Sequence, residues 1–92
     1  MDDVLIGWNV SILDADGHKI FKNGILCNES KDIVIGKHCW IASGVTILKG
    51  VHLSNDNIVP ANNTVTKSSE FSNVIFGGNP NHVITDNINW AI

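Results

Sequence analysis

Four histidines, His18, His38, His52 and His82, are the side chains of this 92-residue chain best able to move a proton at neutral pH, because an unperturbed imidazole titrates close to pH 7. His18 closes the run Asp14-Ala-Asp-Gly-His18. Gly17 lets the chain turn sharply before it, and Asp14 or Asp16 is close enough in sequence to orient the ring and favour its protonated form. Taken alone, a loop histidine is most simply a solvent-exposed bystander. The two cysteines, Cys27 and Cys39, make no C-x-x-C pair and no disulfide framework. Cys39 reads as a small core residue.

The elements that must position these groups are set by a period of six. Aliphatic residues stand at Ile35, Ile41, Ile47, Leu53, Val59 and Val65 without a miss, a spacing that neither a 3.6-residue helix nor a two-residue alternation produces. A second track two residues earlier runs through Ile33, Cys39, Val45 and Val51 and then turns polar at Asn57 and Asn63. A six-residue unit is a short strand plus a corner, and three units close a triangular coil of about 18 residues with the aliphatic positions inside. Coils stack as strands do, about 4.8 Å apart, which places Ile35 over Leu53, Ile41 over Val59 and Ile47 over Val65. The fold expected is all-β, a left-handed parallel β-helix, an exception to the usual right-handed crossover.

The tracks also appear upstream, at Ile6 and Ile12 with Val4 and Val10, but out of phase with Ile35. A non-repetitive segment must therefore interrupt the coil. The polar stretch 14–32, with Gly17 and Gly24, reads as an extruded loop, and loops on a rigid scaffold are where chemistry is usually carried. The organisation expected is one hexapeptide-repeat domain: a partial coil at 4–13, the loop at 14–32, two coils at 33–67 and a capping extension at 68–92. Within that extension Val74-Ile75-Phe76 reads as a last strand ended by Gly77-Gly78-Asn79-Pro80. The tail from His82 to Ile92 reads as a packed cap containing a short helix. Two coils and part of a third sit near the minimum of about three repeats for a stable solenoid, and the first coil is an uncapped edge. The chain is thus expected to be a piece of a longer protein or to depend on oligomerisation.

The bulk properties exclude other classes. A formal charge of −3 with no Lys/Arg stripe leaves nothing to neutralise nucleic-acid phosphates. No apolar run approaches the ~20 residues of a membrane span. The start, Met1-Asp2-Asp3, is acidic where a signal peptide would be basic, so the expected location is the reducing cytoplasm and the three N-x-S/T matches read as chance.

The motifs resemble one family. Ile35-Gly-Lys-His-Cys-Trp-Ile-Ala-Ser-Gly-Val-Thr-Ile-Leu-Lys-Gly-Val51 looks like the signature coil of hexapeptide-repeat O-acetyltransferases. Asn57-Ile-Val-Pro-Ala-Asn-Asn-Thr-Val-Thr-Lys67 resembles the coil that follows, Phe76-Gly-Gly-Asn-Pro80 the A-G-N-P turn, and Gly7-Trp-Asn-Val-Ser-Ile-Leu-Asp-Ala-Asp-Gly-His18 the W-D-V-T-I-M-D-S-D-G-H segment of capsule, lipopolysaccharide and exopolysaccharide acetyltransferases. The resemblance implies an acetyl-CoA-dependent enzyme that acetylates a hydroxyl of a sugar or polysaccharide precursor, working as a homotrimer with active sites between subunits. It implies His18 as the catalytic base, with Asp14 or Asp16 orienting the ring. Ser43 and Ala61 match the positions whose backbone holds the pantetheine arm, an N–H near Ser43 suits the oxyanion, and Thr66 and Lys67 match the T-K pair near the cofactor. Trp40 walls the acyl or acceptor pocket or packs at a subunit interface.

Several departures qualify that resemblance. Leu53-Ser54 replaces an I-G pair, and Pro60-Ala61-Asn62 replaces G-A-G, which removes a backbone donor at 60. His82 and Thr85 stand where basic residues commonly follow the turn, predicting weaker binding of CoA phosphates. Part of the family's acceptor site comes from coils before the first one here. The γ-class carbonic anhydrases bind zinc on the same prism through three histidines, but the spacing of His38 and His52, with His18 on a loop, does not reproduce theirs, and no metal is expected. His38 and His52 read as outward and inert. Thr46 and Thr64 stack without a third Thr, which discounts a surface-binding ladder. The main alternative to the enzyme is a non-catalytic truncated β-helix or assembly scaffold.

Overall fold

A computed structural model describes residues 3–91; Met1, Asp2 and Ile92, the outermost residues of the acidic start and apolar tail noted above, lie outside the described residues. All regular structure within them is β. The partial first coil carries β1 (Leu5–Ile6) and β2 (Ser11–Ile12), and the loop carries β3 (Phe21–Lys22) and β4 (Ile25–Leu26). The second coil is β5 (Val34–Ile35), β6 (Trp40–Ile41) and β7 (Thr46–Ile47), and the third is β8 (His52–Leu53), β9 (Asn57–Val59) and β10 (Thr64–Val65). The chain ends in β11 (Val74–Gly77) and β12 (His82–Thr85).

All of these strands except β3 and β4, which pair with each other in the loop, form the three faces of a left-handed prism. One face is β1-β6-β9-β11-β12, the second is β2-β7-β10, and the third is β5-β8, extended by a bridge from Leu53 to Ser69. The six-residue period sets the register: Ile35 pairs with Leu53, Ile41 with Val59 and Ile47 with Val65. Strands this short bury almost nothing alone, so each coil is held by its neighbours.

The corners explain the spacing of small and amide residues. Left-handed backbone occurs at His38 (φ 55°) and Asp56 (φ 58°) on one edge, and at Asn9 (φ 55°), Gly44 (φ 77°) and Asn62 (φ 60°) on the next. Asn and Asp bear this conformation at lower cost than other side-chain-bearing residues. Gly44 is needed for a second reason, since a Cβ there would collide with the Asn62 amide oxygen.

Both aliphatic tracks point inward. Cys39, Ile41, Val45, Ile47, Val59 and Val65 are completely buried. The second track turns polar because an inward amide can satisfy corner carbonyls: buried Asn57 donates through Nδ2 to the carbonyls of Ser54, Asn55 and Phe71 at 3.0, 3.1 and 2.8 Å. Its Oδ1 has no partner among the described residues. Asn63 repeats the arrangement with the Pro60 and Ala61 carbonyls and accepts the Gly78 N–H.

The first coil obeys the same rule across an interruption. Ile6 pairs with Ile41 and Ile12 with Ile47, 35 positions along instead of 18. Residues 14–32 leave the prism between β2 and β5. Ile6 and Ile12 remain 38% and 42% exposed, because β1 and β2 each have a neighbour on one side only.

The C-terminal cap differs from the expected short helix. β12 runs antiparallel to β11, with Val83 opposite Phe76; the β-branched run Val83-Ile84-Thr85 favours a strand, and no helix occurs among the described residues. The tail then doubles back along the prism. Ile88 N–H donates to the Asn73 carbonyl, and Trp90 Nε1 donates to the His38 carbonyl at 2.8 Å.

Candidate active site

The loop that carries His18 is a long hairpin with an opening in its stem. Lys31 N–H donates to the Asp14 carbonyl at its base, and Cys27 N–H donates to the Ile20 carbonyl nearer the tip. The tip is a two-residue Asn23-Gly24 turn between β3 and β4, with φ of 53° and 77°, the backbone that such a hairpin requires. Between the two stem bonds residues 15–19 bulge outward. His18 stands in the bulge over a cleft of about 210 Å³ lined by Asp16, Gly17, Leu26, Asn28 and Glu29.

One oxygen of Asp16 gathers the cations and amides of this region. Asp16 Oδ2 accepts from Lys49 Nζ at 2.8 Å and from Asn28 Nδ2 at 2.9 Å. The Lys49 ammonium, and after it the Asn28 amide, hold the Asp16 carboxyl below its ordinary range. Lys49 belongs to the corner after β7, so the contact ties loop to prism. Asp14 is exposed and contributes its backbone carbonyl. Among the described residues neither carboxylate hydrogen-bonds the His18 ring, and His18 is exposed.

The residues matched to the cofactor lie on a different edge, the one between the β6 and β7 faces. Ser43 and Ala61 are stacked there, joined by Asn62 N–H donating to the Ser43 carbonyl at 3.0 Å. Among the described residues the N–H groups of Ser43 and Ala61 donate to no protein acceptor, leaving two unpartnered donors about one coil apart. Trp8 continues the line into the first coil, with its N–H on Ser43 Oγ at 2.9 Å and its indole 84% exposed. At the other end a cleft of about 450 Å³ lies between Thr64, Thr66 and the 78–81 turn.

The Thr66-Lys67 pair is held by a residue of that turn. Buried Asn81 accepts from Thr66 N–H and Lys67 N–H through Oδ1 at 2.6 and 3.1 Å, while its Nδ2 donates to the Thr64 and Gly78 carbonyls. The two amides are thus occupied, and Lys67 offers its exposed ammonium instead. Trp40 is on the outer side of its face, 6.0 Å from Trp90.

The remaining histidines are not all inert. His38 is half-buried, its Nδ1 lies 2.9 Å from Asp56 Oδ1, and its ring stacks on Trp90 at 4.1 Å with planes 4° apart. It anchors the returning tail. No cluster of three or more His, Cys, Asp or Glu able to hold a metal occurs among the described residues.

The structure therefore brings Ser43 to Ala61, Thr66 to Lys67 and Asp16 to the His18 loop, and leaves His18 and the Ser43–Ala61 line on separate edges of one chain. Four contributors were not evident from sequence: Trp8, Asn28, Lys49 and Asn81. Trp8 was hidden because the insertion breaks the 18-residue phase that would align it with Ser43. Asn28, Lys49 and Asn81 act by hydrogen bonds across segments, for which sequence spacing gives no signal.

The chain as a whole is similar to known proteins. Galactoside O-acetyltransferase of Escherichia coli strain K12 is 37% identical over 89 residues, taking in 92% of this chain and 42% of the relative. The polysialic acid O-acetyltransferase OatWY superposes with a TM-score of 0.89 at 33% identity, over 97% of this chain and 46% of that one. The chain belongs to the hexapeptide-repeat acyltransferases. A galactoside acetyltransferase in complex with coenzyme A also superposes, at a TM-score of 0.75 and 32% identity, over 92% of this chain and 42% of that one. No protein-family model matches the chain. This member of the hexapeptide-repeat acyltransferases spans less than half the length of these relatives. No helix among the described residues is long and apolar enough to cross a membrane.

Proposed function

We propose that this chain carries the acetyl-CoA-dependent O-acetylation of a hydroxyl on a sugar or polysaccharide precursor. The observation that carries the reading is the pair of unpartnered, stacked N–H groups at Ser43 and Ala61, set beside relatives of which one is a galactoside acetyltransferase in complex with coenzyme A. The residues fit the cosubstrate: an amide carbonyl of its extended arm can accept from the Ala61 N–H while the Ser43 N–H is left for the thioester carbonyl, and Lys67 supplies a cation for its phosphates. The chain contains no arginine, so bidentate phosphate contacts are missing and binding is weaker than an arginine would give. When bound, acetyl-CoA supplies the activated acyl group.

The chain's own groups do the rest. His18 takes the proton of the acceptor hydroxyl as its oxygen attacks the thioester carbonyl, and returns that proton to the departing thiolate. The Ser43 N–H donates to the oxyanion that develops on the carbonyl. Because His18 and the Ser43–Ala61 line occupy different edges, His18 of one chain faces the line of a second, and a homotrimer meets this geometry. The exposed apolar side chains of the hairpin, Ile20, Phe21 and Ile25 at 54%, 60% and 72%, support such packing. Two free thiols, Cys27 and Cys39, suit the reducing cytoplasm.

The test is acetyl transfer from acetyl-CoA to a panel of oligosaccharides, with calorimetric binding of acetyl-CoA measured in parallel. His18→Ala should reduce transfer by about 10² to 10⁴-fold and leave acetyl-CoA binding intact. Undiminished transfer in the variant contradicts the role of His18, and absence of saturable binding in the native chain favours a non-catalytic scaffold.

A further inference from the structure

The stem of the His18 loop lacks backbone pairing where the chemistry stands. Its two ladder bonds join Lys31 to Asp14 and Cys27 to Ile20, and residues 15–19 between them bulge against the shorter segment 28–30. A bulge without cross-strand bonds would let His18 sample many positions. One side chain replaces the missing bonds. Asn28 Nδ2 donates to the His18 backbone carbonyl at 2.7 Å and to Asp16 Oδ2 at 2.9 Å, while Asn28 Oδ1 accepts the Ile20 N–H. Asp16 in turn is fixed to the prism by Lys49 Nζ at 2.8 Å, a contact in which the Lys49 side chain is only 19% exposed.

We propose that Asn28 is the positioning residue for His18, the keystone of a relay that runs from the Lys49 corner through Asp16 and Asn28 to the backbone carbonyl of His18 and the N–H of Ile20. The proposal rests on the acetyl-transfer reading for its effect on turnover, but not for its effect on the loop.

The chemistry demands an amide at this position. The contacts need one acceptor, for Ile20, and two donor hydrogens, one for a carbonyl and one for a carboxylate, and a primary amide offers that set. An aspartate of nearly the same shape keeps the acceptor and loses both donors, and it sets a second carboxylate against Asp16 and an oxygen against the His18 carbonyl. The role also explains why Asp16 need not touch the ring: it acts through Asn28 on the backbone that carries the imidazole. Lys49 neutralises the charge that this relay brings to the prism surface.

Substitution in the full chain separates the two halves of the contact. In Asn28→Asp, kcat for acetyl transfer should fall at least about tenfold, a loss of the size expected when a catalytic group is misplaced, while KM for acetyl-CoA stays within about twofold because the Ser43–Ala61 line is on another edge. Adding Asp16→Asn to that variant returns a donor to the pair and should restore part of kcat. Independently of activity, the Ile20 amide should be protected from hydrogen exchange in the native chain and in Asn28→Asp, and unprotected in Asn28→Ala. The His18 imidazole carbon resonance should be single in the native chain and broadened or split in both variants. Native kcat in Asn28→Asp, a rise in KM for acetyl-CoA matching the loss of kcat, or an unchanged His18 resonance in both variants overturns the proposal. If the native chain transfers no acetyl group, the reading of its function fails, and the exchange and resonance measurements still decide the role of Asn28.

Discussion

The stacked coils and the loop they extrude are built by opposite means. From Ile35 to Val65 the chain places an inward side chain at every sixth position, and these are buried on all sides. In the loop almost every side chain is exposed, including Phe21 and Ile25, and order comes from two stem bonds, an Asn-Gly turn and the contacts of Asn28 and Asp16. Hydrophobic burial is indifferent to direction and sums over many contacts, so the prism is stable but generic. A few directional bonds give little stability and fix a particular geometry, which is what a reacting group needs.

The two cysteines probe this contrast most sharply, because one lies in each region. Cys39 is fully buried, and burial pushes its thiol pKa up, whereas Cys27 is exposed on the loop. With a water-soluble disulfide reagent, Cys27 should react at the rate of a free thiol and Cys39 at least about 10³-fold more slowly, limited by opening of the coils. Comparable rates would mean that the coils open as easily as the loop.

Truncations sharpen it next. Ile41→Ala removes a buried side chain from β6, a strand paired on both sides within its face, and should cost about 2–5 kcal/mol in urea unfolding. Phe21→Ala, at a 60% exposed site, should change the stability of the isolated chain by no more than about 0.5 kcal/mol. A similar loss in both would show that the hairpin shares the prism's core.

The smallest effect is electrostatic and belongs to the loop. Asp16 has a carboxyl pKa depressed chiefly by Lys49. A depressed carboxyl binds its proton less readily folded than unfolded, so its contribution is complete above the unfolded value of about 3.9 and disappears as pH falls through the lower folded value. Exchange protection in the loop stem should therefore weaken in that acid window, before the coils are affected. In Asp16→Asn this acid-dependent step should vanish, and its persistence would assign the transition to another group.

How much of this was readable in the sequence follows from the same contrast. The prism was legible because burial imposes a period: Ile41 over Val59 and Ile47 over Val65 were expected from spacing and occur in the registers. Even the insertion showed as a break in phase between Ile12 and Ile35. The tail's scattered apolar residues carry no clear period and suggest a packed cap with a short helix, whereas pairing of Val83 against Phe76 decides for a strand. His18, Ser43 and Ala61 came from motif resemblance. The bonds of Asn28 and Asn81 were invisible, since an asparagine in a polar stretch looks the same whether it joins two segments or faces water. His38 looks inert in the sequence because its partners Asp56 and Trp90 lie 18 and 52 positions away.

The proposed mechanism makes one demand above all: a single chain should not hold both halves of the site. Mixing two inactive variants examines this directly, one with His18→Ala and an intact Ser43–Ala61 line, the other with Ala61→Trp to obstruct the line and an intact His18. Co-refolded in equal amounts, the two should regain acetyl transfer that neither shows alone, because some sites then combine a native imidazole with a native line. If the mixture stays as inactive as its components while co-refolded native chain is active, His18 and the Ser43–Ala61 line do not meet across chains.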